Sequence, residues 1–120
     1  MSSSTNKPVI DDRMLKHLDE IMGRDVTLLL IKQFLHYAPQ QLLELHQSLL
    51  SADKETARRK AHQLKGESLQ IGATQFGKFC EQMELLAYNN ELEAALEYWV
   101  KIKTEWEQVD SALQRICEHE

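Results

Sequence analysis

Residues 91–117 carry an apolar repeat that indicates the fold class, and they read ELEAALEYWVKIKTEWEQVDSALQRIC. Apolar side chains recur there in alternating steps of three and four residues, the spacing of one face of an α-helix packed against other helices. The residues of this row are Leu92, Ala95, Trp99, Ile102, Trp106, Val109, Leu113 and Ile116. At about 1.5 Å per residue the predicted helix spans roughly 40 Å, long enough for one member of a bundle.

A second long row of the same kind lies between Asp25 and Leu49. Its apolar positions are Leu28, Ile31, Leu35, Ala38, Leu42, Leu45 and Leu49. Pro39 falls inside this row, removes one backbone donor and crowds the preceding turn. We therefore expect this helix to kink at Pro39 rather than to stop there.

Three shorter helices are predicted around residues 10–22, 53–71 and 74–88. Asp11 or Asp12, Asp53 and Thr74 are the expected N-caps, and Gly23 fits just past the end of the first helix. The first helix has the apolar positions Met14, Leu15, Leu18, Ile21 and Met22. The third helix has a row of small inward residues, so another backbone can approach it closely.

The connections between these helices are short, and no segment alternates as a strand does. Short connections make consecutive helices antiparallel. The sequence therefore predicts an all-α fold, an antiparallel up-down-up-down four-helix bundle with a short N-terminal capping helix. We expect residues 1–8 to form a disordered tail and residues 9–118 to form one domain.

Length and composition exclude several other classes of protein. The chain has 120 residues, with only 4 Gly and 2 Pro, which disfavours an all-β fold. No apolar run approaches the roughly 20 residues of a membrane span, and MSSSTNKP at the start does not resemble a signal peptide. We expect a cytoplasmic monomer in which Cys80 and Cys117 are buried thiols rather than a disulfide.

Charge is unevenly distributed along the chain. The formal net charge is −5, which argues against nucleic-acid binding. The segment from Asp53 to Lys65 nevertheless carries +3, so the other residues carry −8. This basic segment is either a solvated helix face or a local site for an anion or an acidic partner.

His62 and Gly66 form the most unusual pair in the third predicted helix. His62 follows the inward residue Ala61, which places it at the edge of the bundle. Gly66 lies one helical turn further on, where a glycine costs about 1 kcal/mol relative to alanine. It either permits close helix packing or leaves bare backbone beside an imidazole that must enter another protein's active site. A phosphoryl group on that imidazole would be offset by nearby cations.

These residues resemble the phosphorylation motif of histidine-containing phosphotransfer (HPt) domains. The resemblance rests on His62-Gln63-Leu64-Lys65-Gly66, on Ser68 and the turn 71–73, and on Cys80, Met83 and Glu84. The long closing helix containing Trp99 and Trp106 is also similar to that of the family, and the resemblance covers about residues 10–117. Glu67 departs from the Ser or Ala that is frequent in the family, and adds an acid beside the site.

The resemblance implies a role for each matching residue. His62 is the expected phospho-accepting residue, Lys65 a phosphate-neutralising neighbour and Gly66 the clearance for the partner. Glu84 matches a position where some relatives place a glutamine on the histidine ring. A carboxylate there either orients the ring or is an ordinary surface charge. Arg58 and Arg59 are expected to offset phosphate charge or assist docking, and Leu69 is expected to join the docking surface with the first helix and the start of the second.

The implied function is that of a phosphocarrier rather than an enzyme. His62 would exchange a phosphoryl group with aspartates of response-regulator receiver domains, downstream of a hybrid sensor histidine kinase. No cofactor or metal is expected on this chain, because the receiver domain would supply Mg²⁺. The alternative is a helical adaptor that binds receiver domains or kinases without carrying phosphate.

Two other classes find little support in the sequence. Di-metal bundles use Glu-x-x-His pairs, and no glutamate here has a histidine three residues later. A histidine kinase needs an ATP-binding domain, and the 58 residues after His62 are taken up by the bundle. The other histidines, His17, His36, His46 and His119, lack a glycine four residues on and are expected to be surface or boundary residues.

Overall fold

The computed structural model describes residues 8–119, which form five helices and contain no strand. The helices are α1 (Asp12–Met22), α2 (Arg24–Leu50), α3 (Lys54–Gln70), α4 (Thr74–Tyr88) and α5 (Leu92–Glu118). The all-helical prediction is confirmed. The predicted disordered tail lies outside the described residues except for Pro8, which is exposed.

The helices after α1 form an antiparallel four-helix bundle, as predicted. α2 packs against α3, α3 against α4 and α4 against α5, and α5 packs back against α2 to close the ring. α1 packs against α2. Its start is also tied to the turn between α3 and α4, where the Asp11 N–H donates to the Gly72 carbonyl at 2.8 Å. Gly72 has φ +85°, and a Cβ there would lie 2.9 Å from the Asp11 carbonyl oxygen.

Most of the predicted helix ends agree with the structure. The Asp11 side chain accepts from the Arg13 N–H, Asp53 accepts from the Thr56 N–H, and α2 continues through Pro39. The prediction that Thr74 is the N-cap of α4 is wrong, because Ala73 holds that position. The Ala73 N–H donates to Ser68 O at 2.9 Å, so the tight turn brings the helix start to Thr74 itself.

The buried face of α2 differs from the predicted row. Ile31, Ala38, Leu42, Leu45 and Leu49 are buried as expected, whereas Leu28 and Leu35 are only half-buried. The additional buried positions are Thr27, Phe34, Gln41 and Ser48. α2 packs against three helices, so it buries a wider face than one apolar row marks. Thr27 and Ser48 can be buried in that face because their hydroxyls donate to the carbonyls of Gly23 and Leu45.

α1 buries less than its sequence indicates. Only Leu15 and Leu18 are buried in this helix, whereas Ile21 is 64% exposed and Met14 and Met22 are also exposed. The cause is that α1 lies on the outside of the bundle, so only one stripe of its surface meets a neighbour. The helix predicted from the spacing of the five apolar positions is confirmed, and three of these positions lie on its exposed side.

The two tryptophans of α5 lie at the margin of the core rather than within it. Both are partly buried and pack against it. The Trp106 ring meets Phe34 edge-on with 5.5 Å between ring centroids, and Trp99 stacks on His46 at 4.6 Å. None of the described helices has the length and apolarity needed to cross a membrane.

Candidate functional site

His62 lies on the outer surface of α3, beside α4. Ala61 and Leu64 on the same helix are fully buried, and this sets the orientation of α3. The His62 side chain is therefore directed away from the core and is 64% exposed. The predicted edge position is confirmed, and the imidazole is accessible to a docked protein.

Glu84 on α4 holds the inner nitrogen of the His62 ring. Nδ1 of His62 lies 2.9 Å from Oε2 of Glu84, whose side chain is only 19% exposed. A carboxylate can only accept hydrogen bonds, so Nδ1 carries a proton, and in the neutral ring Nε2 then keeps its lone pair. The structure therefore places Glu84 where it can orient the ring, instead of leaving it as a free surface charge.

Lys65 completes a three-residue cluster with His62 and Glu84. Its Nζ lies 3.2 Å from Oε1 of Glu84, and its side chain is 23% exposed. Burial alone raises the pKa of Glu84, but the hydrogen bonds from Lys65 and His62 outweigh this and lower that pKa below its usual value. Glu84 is thus a carboxylate at neutral pH, and Lys65 is linked to the ring through it.

Gly66 leaves open space beside this cluster. A Cβ placed on Gly66 would meet no atom of another part of the chain within 4 Å in residues 8–119. Of the two explanations for a glycine here, close packing against a neighbouring helix is therefore wrong. The bare backbone faces the same side as His62, one turn further along α3.

Arg58 and Arg59 each hydrogen-bond a residue of their own helix, and Arg58 is also close enough to Glu84 for that carboxylate to contribute to raising its pKa. The Arg58 guanidinium donates to Glu55 at 2.7 and 3.1 Å, and Glu55 raises the pKa of Arg58. Arg59 bonds Thr56 on the same helix, near Glu44 and Lys60 at the α2 side. Lys60 itself pairs with Glu44 at 2.7 Å. Much of the basic segment is therefore a helix face with paired charges, which was one of its two interpretations.

Exposed apolar side chains occur on α1, α2 and α3. Leu69 on α3 is 39% exposed. The exposed apolar residues of α1 and of the start of α2 are Met14, Ile21, Met22, Val26 and Leu29. These are the elements from which the docking surface was expected.

Two features of α3 and α4 escaped the sequence-based interpretation. Gly77 on α4 is buried, and a Cβ there would lie 2.7 Å from Cδ2 of Leu69, so this glycine permits the close α3–α4 contact. Glu67 lies on the α2 side of α3 and accepts hydrogen bonds from Gln41 and Gln63. A glycine inside the predicted fourth helix was a visible signal for the first feature, whereas no pattern indicated the second.

The remaining histidines lie away from the cluster. His46 is half-buried against Trp99, and His17, His36 and His119 are exposed. In the part of the chain that the structure describes, no group of three or more His, Cys, Asp or Glu side chains is arranged to hold a metal ion.

Comparison with known proteins identifies the family. The Hpt domain family model matches residues 29–116, and the chain belongs to this family. Hpt domain proteins are phosphocarriers rather than enzymes, and they exchange phosphate with receiver domains and kinases in phosphorelays.

A solved structure with the same fold is that of histidine-containing phosphotransfer protein B from Pseudomonas aeruginosa PAO1. It is 27% identical in sequence and superposes with a TM-score of 0.88, over 96% of this chain and 99% of that one. No curated protein sequence matches the chain significantly.

Proposed function

We propose that this chain accepts a phosphoryl group on Nε2 of His62 from a receiver-domain aspartate and passes it to the aspartate of another receiver domain. The observation that carries the proposal is the pairing of His62 Nδ1 with Glu84, which leaves Nε2 free on an exposed ring. The neighbouring Gly66 leaves room for the partner's active-site loops.

The proposed reaction is an in-line exchange between the two proteins. The Nε2 lone pair attacks the phosphorus of the aspartyl phosphate, the N–P bond forms, and the P–O bond to the aspartate breaks. The aspartate leaves as a carboxylate, while the proton stays on Nδ1, held by Glu84. The reverse exchange transfers the group to the next receiver domain.

The chain's own residues position the nucleophile rather than activate the phosphate. Glu84 restrains the ring, so less orientational freedom has to be lost when the complex reacts. Lys65 lies on the same carboxylate and provides positive charge near the incoming phosphoryl group. In the proposed mechanism Mg²⁺ belongs to the receiver domain, where it neutralises charge on the transferring group, and this chain uses no cofactor.

The site is formed by α3 and α4 of one chain, and we propose that the protein acts as a monomer. Its exchange with receiver domains and with a hybrid sensor histidine kinase requires a shared compartment, which we propose to be the cytoplasm.

Labelling tests the proposed function directly. A receiver domain phosphorylated with radioactive phosphate is mixed with this protein, and the label that moves to it should be acid-labile and alkali-stable. The variant His62→Gln should take no label and should melt at the wild-type temperature. A protein that binds the phosphorylated receiver but takes no label would be an adaptor, and would refute the proposal.

A further inference from the structure

A second carboxylate, that of Glu67, lies on the α2 side of α3, five residues after His62. Oε1 of Glu67 accepts from Nε2 of Gln41 at 3.2 Å, and Oε2 accepts from Nε2 of Gln63 at 3.4 Å. Both donors are neutral amides, and within residues 8–119 Glu67 has no ion-pair partner. The structure therefore fixes this half-buried carboxylate in place without neutralising its charge.

Three other carboxylates on or beside α3 are neutralised by cations. Glu44 pairs with Lys60, Glu55 with Arg58 and Glu84 with Lys65. An orienting amide satisfies the hydrogen-bonding capacity of a carboxylate but leaves its negative charge available to a cation from outside. Glu67 is therefore the carboxylate of α3 best suited to bind one.

Glu67 forms part of the wall of a cavity between α2 and α3 with a volume of about 170 Å³. The buried side chains Phe34 and Ile71 contribute its apolar part. Gln33, Tyr37 and Gln70, all exposed, contribute its outer part. Lysine and arginine side chains have an apolar stem and a cationic head, and the cavity offers a matching surface for each.

The cavity lies within reach of a protein docked on His62. Glu67 follows His62 by five residues, which is about 7.5 Å along the helix axis and about 140° around it. A standard interface buries about 800 Å² on each partner, equivalent to a disc of roughly 16 Å radius. A receiver domain with this footprint, centred on His62, covers Gly66 and can reach around α3 to the exposed rim of the cavity at Gln70.

We propose, in an inference that rests on the proposed function, that this cavity receives a lysine or arginine side chain of the receiver domain docked on His62. The cation of that side chain pairs with Glu67, and its stem packs on Phe34 and Ile71. Glu67 then determines specificity, because a receiver domain without a basic residue at the facing position leaves this carboxylate covered and unpaired.

Binding of unphosphorylated receiver domains tests this pairing without relying on phosphate transfer. A panel of purified receiver domains from the source organism is titrated calorimetrically, and the one that binds most tightly to the wild type is chosen. Glu67→Gln keeps the shape and the acceptor for Gln41, and it should weaken binding about tenfold. The control Glu81→Gln removes the same charge from an exposed position on α4 and should change binding less than about twofold.

A charge exchange then identifies the partner residue. Glu67→Lys should abolish binding, and one Lys→Glu or Arg→Glu substitution in the receiver domain should restore it. Equal dissociation constants for the wild type and Glu67→Gln would overturn the pairing, as would an equal loss with Glu81→Gln or the failure of every receiver variant to restore binding. An apolar occupant of the cavity would be revealed by unchanged or tighter binding of Glu67→Gln.

The same proteins separate this inference from the proposed function. A receiver domain that binds through Glu67 but never labels His62 contradicts phosphate transfer and supports the pairing. A receiver domain that labels His62 equally well in the wild type and in Glu67→Gln, at all concentrations, supports transfer and overturns the pairing.

Discussion

Gly66 and Gly77 are glycines inside neighbouring helices, and their surroundings are opposite. A Cβ on Gly77 would press on Leu69 at 2.7 Å, whereas a Cβ on Gly66 would meet nothing within 4 Å in the described chain. Each glycine lowers helix stability by about 1 kcal/mol relative to alanine. At Gly77 the close contact of α3 with α4 offsets that cost. At Gly66 no contact within the bundle does, which points to a partner outside the chain.

The largest expected effect is at the residue that Gly66 leaves accessible. His62→Gln should abolish phosphate acceptance completely, because no other nucleophile occupies this site. The matched variant His46→Gln changes a histidine stacked on Trp99 and should retain wild-type transfer. Both are measured by label transfer from a phosphorylated receiver domain, and label on His62→Gln would show that the site is assigned to the wrong residue.

The two glycines themselves provide the next prediction. Gly66→Gln should raise stability by about 0.5–1 kcal/mol through helix propensity. Its side chain should nevertheless slow transfer at least tenfold or so, by displacing the partner from His62. Gly77→Gln should instead lower stability by about 1–3 kcal/mol, because its side chain would have to displace Leu69 from the contact between α3 and α4. Chemical denaturation measures the stability of both variants, and transfer kinetics measure their rates of phosphate exchange.

If Gly66→Gln were less stable than the wild type, the proposed difference in packing between Gly66 and Gly77 would be contradicted. Transfer at the wild-type rate by a stable Gly66→Gln protein would show that the open space has no role in docking.

A smaller difference in transfer rate is expected between substitutions of two lysines that form ion pairs on opposite sides of α3. Lys65→Ala removes the cation beside His62 and should slow transfer about threefold to tenfold. Lys60→Ala breaks the pair with Glu44 on the α2 side and should alter transfer less than about twofold. The difference should shrink as salt rises from low to physiological ionic strength. Equal effects of the two variants would mean that net charge alone matters.

The smallest expected effect concerns stability at acid pH. The lowered pKa of Glu84 means that its carboxylate form is favoured in the folded state. Its contribution is present above the usual value of 4.5 and is lost as pH falls through the folded-state pKa. Between about pH 5 and pH 3 the wild type should lose up to about 1 kcal/mol more stability than Glu84→Gln. Urea denaturation at several pH values tests this, and parallel curves would contradict it.

Much of the bundle could be predicted because apolar spacing and capping residues are local signals. The rows in α2 and α5, the caps Asp11 and Asp53 and the exposed edge position of His62 all follow from spacing along one helix. The wide buried face of α2 could not, because Thr27 and Ser48 are buried through hydrogen bonds to backbone carbonyls. Apolarity does not mark such positions.

The candidate site was predictable in its residues but not in its pairings. The motif around His62 and the resemblance at Glu84 indicated three side chains that the structure brings together, those of His62, Lys65 and Glu84. Whether Arg58 points at His62 or at Glu55 depends on its side-chain conformation, and several conformations are about equally compatible with the sequence. The same is true of Glu67, whose partner Gln41 is 26 residues away in sequence.

The hydrogen bond from Asp11 to Gly72 gives the molecule a built-in reporter of its own local opening. The amide of Asp11 is protected only while the beginning of α1 remains against the turn between α3 and α4. Its exchange with deuterium therefore measures the free energy of detaching α1, separately from global unfolding. Because α1 also carries exposed apolar residues, slower exchange at Asp11 in a complex would show that docking clamps this helix onto the bundle.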